Sequence, residues 1–372
     1  MKFLLLAGEP SGDLHGANLL RHLKKFFPDG AFYCFGGDKM AANGAHLLLH
    51  YREMAFMGFW EVISNLPKIL KNLRFCKNWI SKNRPDVVIF IDFPGFNLRV
   101  AEFSKKQGCR NIYYISPQIW AWKESRVYQI IRNIDLMITI LPFERDFYRK
   151  YNYEVKFAGH PLLDALYLDK QSVEKSDADK DIDVVLLPGS RLQEVRHILP
   201  VMTEVAVHFP DRKFVVAAAP NLPDEIFQLC IKGKSNVEII KEKTYELIRR
   251  SKAAIVTSGT ATLETALLGT PLIVVYKGNS ISYWIARQLV KVKYISLINL
   301  ILDHPAVPEL IQYQVTPSKI KEHLSMLLTD PKVVEEQHQN FSRLHKLLGG
   351  SGASQRAAIF IKEYITEHGK QV

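Results

Sequence analysis

Cysteine is scarce: Cys34, Cys76, Cys109 and Cys230 are the only 4 in 372 residues, and no two of them form a CxxC pair. Zinc-ribbon and thioredoxin-type motifs are therefore excluded, and scattered cysteines in a chain this long fit a reducing, cytoplasmic compartment. Long apolar runs are also missing. No uninterrupted stretch reaches the roughly 20 residues of a transmembrane helix; the nearest, residues 281–302, is broken by Arg287, Lys291 and Lys293. The opening run, residues 3–7, is too short for a signal-peptide core and leads into a charged loop. The glycines that follow, Gly8, Gly12 and Gly16, are spaced GxxxGxxxG rather than GxGxxG, and no Walker lysine motif occurs, so hydride transfer and ATP hydrolysis lose their sequence support. Repeats and low-complexity tracts are absent. Acidic residues are in deficit, leaving a net charge of +11. Such a charge suggests an anionic partner: nucleic acid, a phosphorylated substrate or anionic lipid.

What is present is an alternation of apolar runs and helical patterns. Residues 3–7, 31–35, 87–91, 111–115, 136–140 and 155–158 read as strands of one half, with a helical pattern over 13–27 among the intervening segments. A second series follows at 184–187, 213–217, 237–240, 253–256 and 272–276. Continuous apolar strands separated by helices indicate βα units and parallel sheets. Residues 167–182 are polar and charge-rich. The expected organisation is α/β: two Rossmann-like doubly wound domains facing across a cleft, residues 1–166 and 183–340, with 167–182 as linker. Helical periodicity from residue 331, broken at Gly349 and Gly350, predicts C-terminal helices over 341–372 that pack back on the first domain. In such sheets ligands bind beyond the carboxyl ends of the strands.

Two strand ends in the second half suggest anion binding. One continues into Pro188, Gly189, Ser190 and Arg191. There glycine allows close backbone approach, serine can cap the next helix, and arginine can grip a phosphate with two donors. An ordinary turn with a serine cap fits this segment equally well. The other runs into Thr257, Ser258, Gly259 and Thr260, with Glu264 about one turn into the helix. A carboxylate there can accept from both ribose hydroxyls; the alternative is a capping box with Thr260 as cap. Two phosphate corners and an acid together favour a nucleotide diphosphate.

In the first half, Ser11, Gly12 and Asp13 lie in a strand-to-helix loop suited to a sugar phosphate, or in a tight turn capped by Ser11 or Asp13. Asp92 ends the strand 87–91, walled by Phe93 and Phe96. Burial there raises a carboxyl pKa and suits it to general-base work on a sugar hydroxyl, although turn hydrogen bonding is the commoner role for such an aspartate. Trp120 and Trp122 follow the next strand as sugar or acyl contacts, or as core anchors. Over residues 56–80, Met57, Phe59, Trp60, Ile63, Leu66, Ile69, Leu70 and Leu73 supply an apolar side beside Lys68, Lys71, Arg74 and Lys77. That combination is the mark of a helix lying on an anionic bilayer, and a core helix with a solvated basic face is the alternative. Pro67 is expected to break or kink it. No metal site is expected, because the two DxD patterns at 177–179 and 181–183 read as solvated linker acids. His160 reads as a turn residue rather than a ligand.

Taken together, AGEPSGDLHGA (7–17), MGFWEV (57–62), IDFPGFN (91–97), YYISPQIWAW (113–122), LPFE (141–144), GHPLLDAL (159–166), LLPGSR (186–191), SGTATLE (258–264) and YISLINLI (294–301) resemble the lipid-A-disaccharide synthases. The likeness spans nearly the whole chain, and the order and spacing of the motifs make it specific. It implies a GT-B glycosyltransferase that needs no cofactor or metal. Its donor would be UDP-2,3-diacylglucosamine, and its acceptor 2,3-diacylglucosamine 1-phosphate (lipid X). The products would be a β-1,6-linked disaccharide and UDP, made at the cytoplasmic face of the bacterial inner membrane. By the same resemblance Asp92 is the catalytic base, Asp86 and Asn299 are further functional residues, Arg191 serves the phosphates and Glu264 the ribose. Gly95 stands where relatives carry an acid. The family's exchange of C-terminal segments between subunits makes a homodimer a possible partner state. The competing readings are a UDP-sugar 2-epimerase on the same fold and a non-catalytic basic module for nucleic acid. The paired strand-end loops speak against the second, and no nucleic-acid partner is expected.

Overall fold

The computed structural model describes residues 1–54, 65–166, 180–278 and 292–368. The chain divides into two compact units, one made of Met1–Asp164 with Leu348–Val372 and the other of Ala165–Leu347.

In the first unit the strands are β1 (Lys2–Ala7), β2 (Ala31–Gly36), β3 (His46–His50), β4 (Val87–Ile91), β5 (Arg110–Tyr114), β6 (Leu136–Thr139) and β7 (Lys156–Phe157). They form a parallel sheet in the order β3-β2-β1-β4-β5-β6-β7. The second unit holds β8 (Ile182–Leu187), β9 (Phe214–Ala218), β10 (Val237–Lys241), β11 (Ser251–Thr257), β12 (Leu272–Tyr276) and β13 (Glu309–Ile311), in the order β10-β9-β8-β11-β12-β13. The central strands are apolar along their length because helices cover both faces of each sheet. Phe3, Leu4, Leu5 and Leu6, for instance, are each fully buried, and burying each such side chain contributes about 1.5–3 kcal/mol.

Three boundaries differ from expectation. The change of unit falls at Asp164–Ala165, and β8 begins at Ile182. Asp183 is consequently a buried strand residue, held by Arg212 and Lys252, each at 3.0 Å, and Asp181 pairs with Arg250. Asp183 is therefore no solvated linker acid, whereas Asp181 stays exposed just ahead of the strand; the DxD pattern at 177–179 lies outside the described residues. At the other end, the helix Pro331–Leu347 stays with the second unit and only the chain from Leu348 returns to the first.

That return is built by the GHPLLDAL segment. The carboxylate of Asp164 accepts from the amides of Gly352, Ala353 and Ser354 at 2.5–3.1 Å, capping the helix Ala353–Glu367 against the helix Pro10–Phe26. Arg356 donates to the Ala158 carbonyl at 2.7 Å, and the His160 amide donates to the Leu348 carbonyl at 3.0 Å. His160 itself is a turn residue, its Nδ1 accepting from the Leu162 amide at 3.2 Å.

Candidate functional site

Each sheet reverses its strand order at one point, and the candidate loops of the sequence emerge at those two points. In the second unit the reversal lies between β8 and β11, which pair in parallel with Val256 opposite Leu187. Residues 188–191 and 257–260 therefore leave the same sheet edge side by side, which is where a doubly wound sheet binds its ligand. Gly189 has φ +98, and a Cβ there would lie 2.6 Å from the Glu194 carboxylate. Ser190 does not cap; the N-cap of the helix Leu192–Ala206 is Arg191, without a side-chain cap bond. Arg191 is exposed and bonds Glu194 at 3.1 Å, within reach of the loop. The helix Thr260–Leu267 likewise starts without a side-chain cap, at Gly259, so the capping-box alternative for Thr260 and Glu264 is not realised. Ser258 donates its hydroxyl to the Ile295 carbonyl at 3.2 Å, and the buried Thr257 hydroxyl has no partner among the described residues. Glu264 accepts from the Tyr245 hydroxyl at 3.0 Å; burial raises its pKa and that bond opposes the rise.

In the first unit the reversal lies between β1 and β4, with Ala7 opposite Ile91. Here the Gly8–Glu9 turn meets Asp92 and Phe93. Both Asp92 (φ +44) and Phe93 (φ +50) are left-handed, a conformation that costs on the order of 1–3 kcal/mol per residue and is kept only where surroundings enforce it. The enforcement is visible. Asn97 Nδ2 and the Tyr113 hydroxyl both donate to the Asp92 carbonyl at 2.6 Å, and the Phe93 ring occupies the space where a Cβ on Gly8 would stand, 2.3 Å away. The carboxylate is left for chemistry. Burial first, and then the neighbouring charge of Glu9, push its pKa up to about 6, against the pull of the Phe93 amide. Glu9, Asn97 and Tyr113 are neighbours of Asp92 that the sequence reading passed over. The only signal was their place inside AGEPSGD, IDFPGFN and YYIS, because Asn97 and Tyr113 act on a backbone atom.

Other expected residues lie elsewhere. Asp86 precedes β4 whereas Asp92 follows it, so the two stand at opposite ends of one strand, roughly 20 Å apart at about 3.3 Å per residue. Asp86 accepts from the Lys2 amide at 2.7 Å and ties the amino ends of β4 and β1. Asp13 is buried and accepts from the amides of Gly37, Lys39 and Met40 at 2.8–3.1 Å; it caps the helix Asp38–Ala42, and both of its carboxylate oxygens are already bonded there. Ser11 and Gly12 belong to the first turn of the helix Pro10–Phe26, whose N-cap is Glu9. Neither Ser11 nor Asp13 is its cap. Asn299 is also consumed: Nδ2 donates to the Val307 carbonyl and to Glu309 at 2.9 and 2.8 Å, and Oδ1 accepts from the Val307 amide at 3.0 Å. These bonds tie its side chain to the segment 307–309. The two tryptophans separate. Trp120 donates to Glu144 at 3.3 Å and packs edge-on against Phe143, while Trp122 is exposed under Lys123 and Arg126.

The basic helix runs Leu66–Asn83, and Pro67 sits in its first turn, where a missing amide is harmless, rather than kinking it. Leu66, Leu70 and Phe75 are exposed beside Lys68, Lys71 and Arg74, whereas Leu73 packs on the core and Ile69 lines a cavity. Met57, Phe59, Trp60 and Ile63 lie outside the described residues. Among the described residues no helix is long and apolar enough to cross a membrane, and no three His, Cys, Asp or Glu side chains are grouped to hold a metal.

A family model described as lipid-A-disaccharide synthetase matches residues 3–363. The chain belongs to the lipid-A-disaccharide synthase family. Among relatives, the lipid-A-disaccharide synthase of Myxococcus xanthus is 38% identical over 373 residues, covering 98% of this chain and 97% of the relative. That of Syntrophus aciditrophicus is 40% identical over 367 residues, covering 96% of each. Lipid-A-disaccharide synthases are glycosyltransferases, so the chain is an enzyme of the hexosyltransferase class. The GT-B fold is shared more widely than the family. A UDP-GlcNAc 2-epimerase from Neisseria meningitidis, solved bound to UDP-GlcNAc, aligns with TM-score 0.68 at 15% identity over 98% of this chain and 100% of its own. The glycotransferase of kitacinnamycin aligns with TM-score 0.67 at 15% identity over 98% of both chains. Identity that low carries the fold alone, so synthase membership outweighs the epimerase reading.

Proposed function

We propose that this enzyme transfers 2,3-diacylglucosamine from UDP to the 6-hydroxyl of 2,3-diacylglucosamine 1-phosphate, forming a β-1,6-linked disaccharide 1-phosphate and UDP. The observation that carries the reading is the occupancy of the two switch points: an uncapped, glycine-bearing anion corner in one unit and a carboxyl poised near neutrality in the other. As the acceptor oxygen attacks the anomeric carbon, Asp92 takes its proton, and the bond from that carbon to the diphosphate breaks with its electrons passing to UDP. Arg191 and the start of the helix Thr260–Leu267 stabilise the charge that develops on the leaving group. Glu264 receives the ribose hydroxyls. A single in-line displacement inverts the anomeric centre and needs no covalent nucleophile.

The exposed Leu66, Leu70 and Phe75 beside Lys68, Lys71 and Arg74 support a peripheral seat on an anionic membrane, at its cytoplasmic face, where both acylated substrates reside. The test is incubation with both lipid substrates and mass spectrometry of the products. A tetraacyl disaccharide 1-phosphate with stoichiometric UDP is expected. Epimerised UDP-N-acetylglucosamine from the nucleotide sugar alone, with no disaccharide, would overturn it.

A further inference from the structure

A cavity of about 370 Å³ opens beside Asp92 in the first unit, within the range of roughly 300–1,000 Å³ usual for small-ligand sites. Phe93 forms one wall, and Met54, Ile69 and Phe96 make it apolar. At Gly95, on its rim, an added Cβ would meet nothing within 4 Å, so the backbone lies open to an incoming group. Arg99 and Arg126 close the cavity, and neither has a carboxylate partner among the described residues. Burial lowers the pKa of Arg126, the Tyr113 hydroxyl opposes this, and the charge of Arg99 lowers it further. Two cations held near each other without an intervening anion form a fork for an oxyanion. Tyr113 connects this fork to the reaction, because its hydroxyl also holds the Asp92 carbonyl at 2.6 Å.

We infer that this cavity reads the acceptor, with Arg99 and Arg126 taking its anomeric phosphate and the apolar wall taking an acyl chain. The inference rests on the function proposed above and adds the group by which the acceptor is chosen. The donor's diphosphate has its own corner beside Arg191, so the fork in the first unit calls for a different anion. The other charged group in the reaction is the acceptor's phosphate, and a cation pair set in an apolar wall matches a sugar that carries both phosphate and acyl chains.

The experiment compares wild type, Arg99→Gln, Arg126→Gln and the double variant on two acceptors, diacylglucosamine 1-phosphate and the same lipid without its phosphate. UDP affinity is followed by calorimetry. Wild type should prefer the phosphorylated acceptor. The double variant should raise KM for that acceptor roughly ten- to a hundredfold, as expected for loss of charge-assisted hydrogen bonds, and should abolish the preference while leaving UDP affinity unchanged. Equal losses on both acceptors, or a preference that survives, would overturn the inference. Direct titration with the diacylated sugar phosphate in detergent separates failure here from failure of the proposed reaction. Arginine-dependent binding without turnover would sink the reaction alone, and binding indifferent to both arginines would sink this inference whatever the turnover.

Discussion

Asn97 donates its side-chain amide to the carbonyl oxygen of Asp92 at 2.6 Å, so the candidate base is fixed through its backbone, and its carboxylate, which accepts from the Phe93 amide, is not spent on Asn97. With burial and the charge of Glu9 raising that carboxyl to about 6, the base is ionised only above that value. The pH profile of kcat/KM should therefore fall with unit slope below about pH 6. Glu9→Gln removes one of the two raising influences, so the break should move to lower pH. A break that stays in place would show that Glu9 does not act on Asp92.

The same shift has a stability consequence of definite sign. Asp92 titrates at about 3.8 when unfolded and about 6 when folded, so between those values the native state holds the extra proton. Stability falls as pH rises through that window, and the full penalty is present above it. Asp92→Asn removes the penalty. It should cut turnover severely yet stabilise the protein by about 1–3 kcal/mol at neutral pH, allowing for partial exposure. The gain should vanish near pH 3. Thermal unfolding at the two pH values checks this, and a neutral-pH loss of stability would contradict it.

Arg191 is engaged by Glu194 at 3.1 Å in the free protein. Arg191→Ala should weaken UDP binding roughly tenfold or more, from loss of a charge-assisted hydrogen bond of about 1.5–3 kcal/mol. Glu194→Gln removes a negative charge near the diphosphate, so it should tighten UDP binding. Calorimetry showing both variants equal to wild type would remove Arg191 from the phosphate site.

Asn299 satisfies the Val307 amide and carbonyl and the Glu309 carboxylate at once. Asn299→Ala strands these groups at a cost of about 1–3 kcal/mol. The expected result is a lowered unfolding midpoint with UDP affinity largely retained. An unchanged midpoint with abolished turnover would restore a direct role in the reaction.

On the basic helix Leu66–Asn83, replacing Lys68, Lys71 and Arg74 with Glu should release the protein from anionic vesicles in flotation, since each cation near such a surface contributes about 1 kcal/mol. Flotation that persists would make the pattern a solvated helix face.

The sequence by itself determined the central strands and their parallel sheets, because apolar runs buried on both sides are local chemical facts; the edge strands β3 and β13, only partly buried, escaped it. It also marked Asp92, whose place at a strand end follows from counting residues. Tertiary structure alone decided which acids share an end of the sheet. Asp13 and Asn299 prove to be engaged by backbone groups that stand 24 and 8 residues away. The same holds for Asp164, which meets the amides of residues 352–354. Hydrogen bonds to backbone depend on where the main chain passes and not on the identity of the residue that presents it. No pattern of side chains encodes them, and the folded path must be known before a carboxylate can be assigned to structure or to chemistry.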